Sequence, residues 1–228
     1  MPVLPGTPPV EVMLRRSARA KRFSLRVSRL DGRVTLTLPA RAREKDALTF
    51  LQSHEGWLRQ TLADLPAADR GVLAFGDLIP VEGRMLRIEP AMGRSVRVED
   101  LRLLVPGDAP GPRVAGFLKV LARDRLAAAS TRYAGLVGRG YNRLTLRDTR
   151  SRWGSCSHDG ALMYSWRLIM APPAVLDYVA AHEVAHLVEM NHSDAFWNVV
   201  TRLRPDWKLQ RGWLRSHGQD LHGYRFGD

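Results

Sequence analysis

The chain has a single cysteine, Cys156, in 228 residues, so no intrachain disulfide can form. That fits a reducing compartment and leaves the fold to its hydrophobic core. No run approaches the roughly 18 apolar residues of a membrane span. Met1 to Pro9 has four prolines and no sustained apolar stretch, so it does not read as a secretory signal. The cytoplasm is the expected location, with no membrane partner. Acidic residues are also in short supply, 23 Asp and Glu against 35 Lys and Arg, for a net charge of +12. The imbalance is densest where Arg15, Arg16, Arg19, Lys21, Arg22, Arg26 and Arg29 stand without an acid between them. Such a surface attracts polyanions, which leaves a nucleotide or nucleic-acid partner open. A solvated face in a chain where Arg greatly outnumbers Lys explains the same residues, and no nucleic-acid-binding motif accompanies them.

What is present is ordinary for a folded protein: 45% hydrophobic and 25% charged residues, in a length that buries a real core. From Val10 to Leu38, Phe23, Leu25 and Val27 alternate with polar residues, as do Val34, Leu36 and Leu38, which predicts strands joined by a turn at Asp31-Gly32. Apolar residues at three-and-four spacing predict one helix from about Glu44 to Leu65, stopped by Pro66. Short strands follow from Gly71 to Val105. The Pro- and Gly-rich stretch Pro106 to Pro112 reads as a linker, which divides the chain into a β-rich region with one helix (1–108) and a second domain (109–228). That domain opens on a helix to about Tyr133. Strands are expected at Arg143–Arg147 and Ala161–Leu168, then helices from Pro173 to about Met190, Asp194 to about Arg204 and Trp207 to Ser216. The class is α+β.

The helix opened by Pro173 contains His182-Glu183-Val184-Ala185-His186. Two histidines four residues apart sit about 40° apart around a helix axis and roughly 6 Å apart along it, so their imidazoles can converge on one ion. Glu183 then falls beside that face, placed to activate a water. Val179, Ala180, Ala181, Val184 and Ala185 leave the helix apolar on most sides, where uncompensated His and Glu would be costly. Catalytic zinc sites commonly take three protein ligands and keep a fourth position open. His192, ten residues after His182, is the leading third ligand, at the spacing of the metzincin pattern although Glu189 stands where that pattern has glycine. Asn191, in a left-handed conformation, could turn His192 back, and Ser193 could cap the next helix. Glu189 lies on the same face as His182, but its position suits a supporting contact better than ligation.

Taken together, Arg152-Trp153-Gly154-Ser155-Cys156-Ser157, Trp166-Arg167-Leu168-Ile169, His182 to His186, and Asn191-His192-Ser193 with Phe196-Trp197 resemble the YgjP-like metallopeptidase family, a zincin group close to the SprT-like proteases. The resemblance implies a compact zincin-like domain with a short antiparallel sheet ahead of the active-site helix, and one zinc ion on His182, His186 and His192. Arg152, Trp153, Ser155 and Arg167 are candidate substrate contacts, with packing by Trp153 and a turn at Gly154 as the structural alternative. Cys156 reads as a small packed residue, and Tyr164 and Tyr178 as packing or as donors to an oxyanion.

The expected activity is hydrolysis of a peptide or protein, with Glu183 as general base. Fold and site do not name the scissile bond. A metal-dependent nucleotide phosphoanhydride hydrolase and a nucleic-acid-associated zinc protein are the alternatives.

Overall fold

Alternation of buried Val34, Leu36 and Leu38 with less buried Thr35 and Thr37 makes the segment Val34–Pro39 a strand with one apolar face. It is β4 of a four-stranded sheet with β1 (Val3–Leu4), β2 (Val10–Ser17) and β3 (Ser24–Val27), in the order β1-β2-β4-β3. β3 pairs antiparallel with β4, bringing Val27 opposite Val34, while β2 runs parallel to β4. The computed structural model describes residues 2–6, 8–28, 32–63 and 71–227. Asp31 of the expected turn and the Pro66 stop lie outside the described residues.

In place of one long helix there are two, α1 (Glu44–Ser53) and α2 (Glu55–Ala63). The break at His54 has a local cause. Ser53 Oγ donates to the Phe50 carbonyl at 2.8 Å, and His54 Nδ1 lies 2.9 Å from the same oxygen, so side chains compete for an acceptor of the helix ladder. Ala47, Leu51 and Leu58 pack on Val12, Leu36 and Leu38 as a core of their own.

The chain divides into two compact units, Met1–Asp69 and Arg70–Asp228. The expected boundary near residue 108 therefore falls inside the second unit. There β5 (Leu78–Val81), β6 (Arg84–Ala91), β7 (Arg97–Glu99) and β8 (Arg102–Pro106) form a sheet ordered β5-β6-β8-β7. The Pro- and Gly-rich stretch leads directly into α3 (Pro110–Val137), with Pro110 in the first turn, where its missing N–H costs nothing. Ile79, Ile88 and Leu103 of the sheet share one core with Val114, Leu118 and Leu126 of α3, so residues on both sides of 108 fold as one body.

After α3 come β9 (Arg143–Arg147), β10 (Gly154–Cys156) and β11 (Ala161–Ser165), in the order β10-β11-β9. The antiparallel sheet implied by the family resemblance is half right. β10 and β11 are antiparallel, but β9 pairs with β11 in parallel, because the chain between β9 and β11 crosses to put β10 on the far edge. A 3-10 turn (Trp166–Met170) leads to α4 (Pro173–Ala185), followed by α5 (Asp194–Leu203), α6 (Trp207–His217) and a last 3-10 turn (Gly218–His222). α4 packs against α3, α5, α6 and β10, which is why Ala180, Ala181, Val184 and Ala185 are fully buried. Among the described residues no helix is long and apolar enough to cross a membrane.

Candidate metal centre

His182 lies in the last turn of α4 and His186 is its C-cap residue, so the helix ends about five residues before the expected Met190. The chain then tightens: Leu187 N–H bonds to Val184 O, and Val188 and Glu189 N–H both bond to Ala185 O. Asn191 does not take the left-handed conformation, since Glu82 and Asp100 are the only described non-glycine residues with positive φ. The reversal is spread over the turns from His186 onward, and Ser193 N–H bonds to Asn191 O at 2.8 Å. Ser193 caps α5 as expected, its side chain accepting from Phe196 N–H.

This path returns His192 to α4. The ligating atoms of His182, His186 and His192 all lie within 4.8 Å of one another. Nε2 of His182 and Nε2 of His192 are 3.0 Å apart, close to the ~3.3 Å expected of two nitrogens sharing a tetrahedral zinc. His186 Nδ1 donates to the carbonyl of Glu189 at 3.0 Å, which fixes the ring and turns Nε2 to the cluster. Glu189 thus supports the site through its backbone. His182 Nδ1 is buried and without a hydrogen-bond partner among the described residues.

Phe196, fully buried, holds the three rings. It stacks on His186 at 4.4 Å and meets His182 and His192 edge-on at 4.9 and 4.7 Å. Trp197 lies 5.8 Å from both His182 and His192 and stacks on Trp207 at 4.4 Å. Burial, then the neighbouring His186 and His192, pushes His182 down to about 3, and burial also lowers His186. Burial thus favours the neutral form of both rings, the state in which imidazole nitrogens offer lone pairs to a cation. The donor set fits a divalent transition metal.

Glu183 is buried beside this cluster, and burial pushes its carboxyl up to about 8 against the opposing pull of Arg152. A divalent charge nearby would favour the carboxylate. A cavity of about 330 Å³ adjoins the cluster, with Tyr178, His182 and Glu183 on the α4 side and Arg152, Trp153 and Gly154 on the strand side.

The remaining sequence candidates separate. Arg152 and Trp153 line the cavity, and Trp153 stacks on His222 at 5.0 Å. Ser155 is half-buried in β10 opposite Met163. Arg167 is directed elsewhere: it is buried, forks onto Asp148 at 2.7 and 2.9 Å, and donates to the carbonyls of Leu221 and Tyr224. Its guanidinium holds the C-terminal segment and is not presented to a substrate. Burial, reinforced by Glu183, pushes the Cys156 thiol up to about 11, which disfavours the thiolate that a nucleophile needs. Tyr164 is core, with its hydroxyl 3.0 Å from Ser130 Oγ, whereas Tyr178 faces the cavity. Sequence reasoning passed over Arg211 and Arg215 of α6, which also line the cavity. Their spacing of four on an amphipathic helix was the available signal.

Over residues 21–217 the chain matches the family described as YgjP-like, metallopeptidase domain. No curated protein matches it. Among solved structures, the metallopeptidase zymogen abylysin of Pyrococcus abyssi is similar at 17% identity and a TM-score of 0.36, covering 41% of this chain and 93% of that one.

Proposed function

The chain belongs to the YgjP-like metallopeptidase domain family, and on that premise we propose that it hydrolyses peptide bonds with one zinc ion held by His182, His186 and His192. The observation that carries this reading is the convergence of three imidazoles, those of His182, His186 and His192, beside the buried carboxyl group of Glu183. Zinc, when bound there, supplies a Lewis acid for the scissile carbonyl and lowers the pKa of a water to about 7.

The protein's own groups carry the proton. Glu183 takes a proton from the attacking water as the C–O bond forms, and delivers it to the amide nitrogen as the C–N bond breaks. Its buried setting suits both halves, because a carboxyl with a raised pKa holds the proton long enough to pass it on. Phe196 and the Glu189 carbonyl keep the imidazoles in place. Arg152, Trp153 and Ser155 are the proposed substrate contacts on the strand side. β10 supports a peptide substrate in particular, since it is an edge strand and touches Glu183 through Gly154. An extended chain adds to such an edge through main-chain hydrogen bonds. A single cysteine, which allows no intrachain disulfide, suits a reducing compartment such as the cytoplasm.

The test is a paired screen of zinc-loaded protein against a peptide library and against nucleoside triphosphates, with Glu183→Gln alongside. The expected result is peptide cleavage that falls roughly 10²–10⁴-fold in the variant, with zinc content retained. Turnover of nucleotides alone, or a rate indifferent to the substitution, would overturn the reading.

A further inference from the structure

The cavity beside the metal centre is lined on two sides by arginine. Around a space of about 330 Å³, next to Tyr178, His182 and Glu183, stand Arg152 on the strand side and Arg211 and Arg215 on α6. None of the three is ion-paired among the described residues, although Arg204, just before α6, is held by both Asp177 and Asp206. Arg211 and Arg215 stand four apart on one face of α6, where like charges repel and cost helix stability. That cost is recovered when an anion sits between them.

Arg211 is also pre-arranged. Its guanidinium lies 5.1 Å from the Trp197 ring and 5.8 Å from that of Trp207, and these two indoles are stacked. A planar guanidinium held on aromatic faces has already lost much of the freedom it would otherwise lose on binding. Trp197 belongs to the shell around His182 and His192, so the same aromatic stack sets the positions of both the cation and the metal ligands. The space stands at the bottom of the roughly 300–1,000 Å³ span of small-molecule sites, a size that suits a side chain of a longer substrate. The adjoining edge strand β10 suits the backbone of that substrate.

We propose that this cavity selects peptides with an aspartate or glutamate side chain flanking the scissile bond, its carboxylate held by Arg211 and Arg215 of α6 and by Arg152. The inference rests on the peptidase reading above. Charge-assisted bonds from guanidinium to carboxylate supply both the selectivity and the orientation.

The experiment uses zinc-loaded protein and matched peptides that differ only at the flanking residue, which is Glu, Gln or Lys. The expected kcat/KM ratio of Glu over Gln peptide is about tenfold to a hundredfold. Arg215→Glu is expected to shrink that ratio, and Arg211→Glu combined with Arg215→Glu to invert the order in favour of Lys, a gain that misfolding would not produce. A second arm measures fluorescence anisotropy of the same peptides on Glu183→Gln protein, with tighter binding of the Glu peptide expected. Cleavage without acidic preference, or an acidic preference that survives in the double variant, overturns the selectivity and leaves the peptidase reading standing. Tighter binding of the Glu peptide with no cleavage of any peptide by the unsubstituted protein supports the arginine site and overturns the peptidase reading. Inorganic triphosphate protecting the cavity while acidic peptides gain nothing overturns the carboxylate assignment.

Discussion

Gly154 stands so close to Glu183 that a Cβ placed on it would lie 2.6 Å from both Cγ and Oε1 of the glutamate. The strand cannot easily withdraw, because Gly154 pairs with Tyr164 across β10 and β11, and Tyr164 is fully buried against Ser130. A methyl group would therefore displace the carboxylate. Gly154→Ala is expected to lower kcat by about a hundredfold, the scale of a misplacement near 1 Å, with zinc content unchanged. Rate assays beside metal analysis check this. A full-rate Gly154→Ala protein would mean that β10 does not set the position of the carboxylate.

Phe196 touches all three imidazoles at ring-centroid distances of 4.4 to 4.9 Å and has no exposed surface. Phe196→Ala removes a buried aromatic, a change that typically costs about 3–5 kcal/mol. The resulting space also frees His182, His186 and His192 to rotate. Both stability and zinc affinity are expected to fall, measured by denaturant titration of metal-free protein and by competition with a chelator. Loss of stability alone, with affinity intact, would reduce Phe196 to core packing.

The candidate site was legible where its signal was local. His182 and His186 are one helical turn apart, and apolar neighbours on most sides mark the buried helix that carries them. The position of Ser193 as a cap follows from residue type. What sequence could not convey depends on distant partners. β9 lies parallel to β11 because the chain crosses between them, and no periodicity records which strands pair. α3 joins the β5–β8 sheet in one core, so a stretch rich in Pro and Gly opens a helix where a linker was expected. The early end of α4 comes from turn hydrogen bonds after Ala185, where the apolar pattern continues through Leu187 and Val188.

Arg167 illustrates the same limit. Its partners, Asp148, Leu221 and Tyr224, lie 19 to 57 residues away in sequence. Arg167→Lys keeps the charge but loses the planar fork onto Asp148 and leaves buried carbonyls short of a donor. The expected cost is about 2–3 kcal/mol, below the 3–5 of a fully buried pair because Asp148 is partly exposed. Melting and urea curves check this, with KM for the preferred peptide expected to be unchanged. A raised KM without loss of stability would return Arg167 to the substrate.

His222 gives the fold a pH dependence of known sign. The ring is buried against Trp153, its Nδ1 has no hydrogen-bond partner among the described residues, and burial followed by the Arg167 charge pushes its pKa down to about 4. An unfolded histidine titrates near 6.5. Between those values the unfolded chain binds a proton that the folded chain refuses, so stability falls as pH drops from about 6.5 toward 4. Asp148 extends the loss further into acid. Burial alone would raise its pKa, but the hydrogen bond and charge of Arg167 outweigh that and hold it below the usual carboxylate range. His182 and His186 contribute in the same direction as His222, so the wild-type curve alone cannot isolate it. Comparison with His222→Gln does. The variant is expected to lose less stability across this window, with the difference in slope approaching one proton. Parallel curves for the two proteins would show that His222 takes up its proton in the fold as readily as in the unfolded chain.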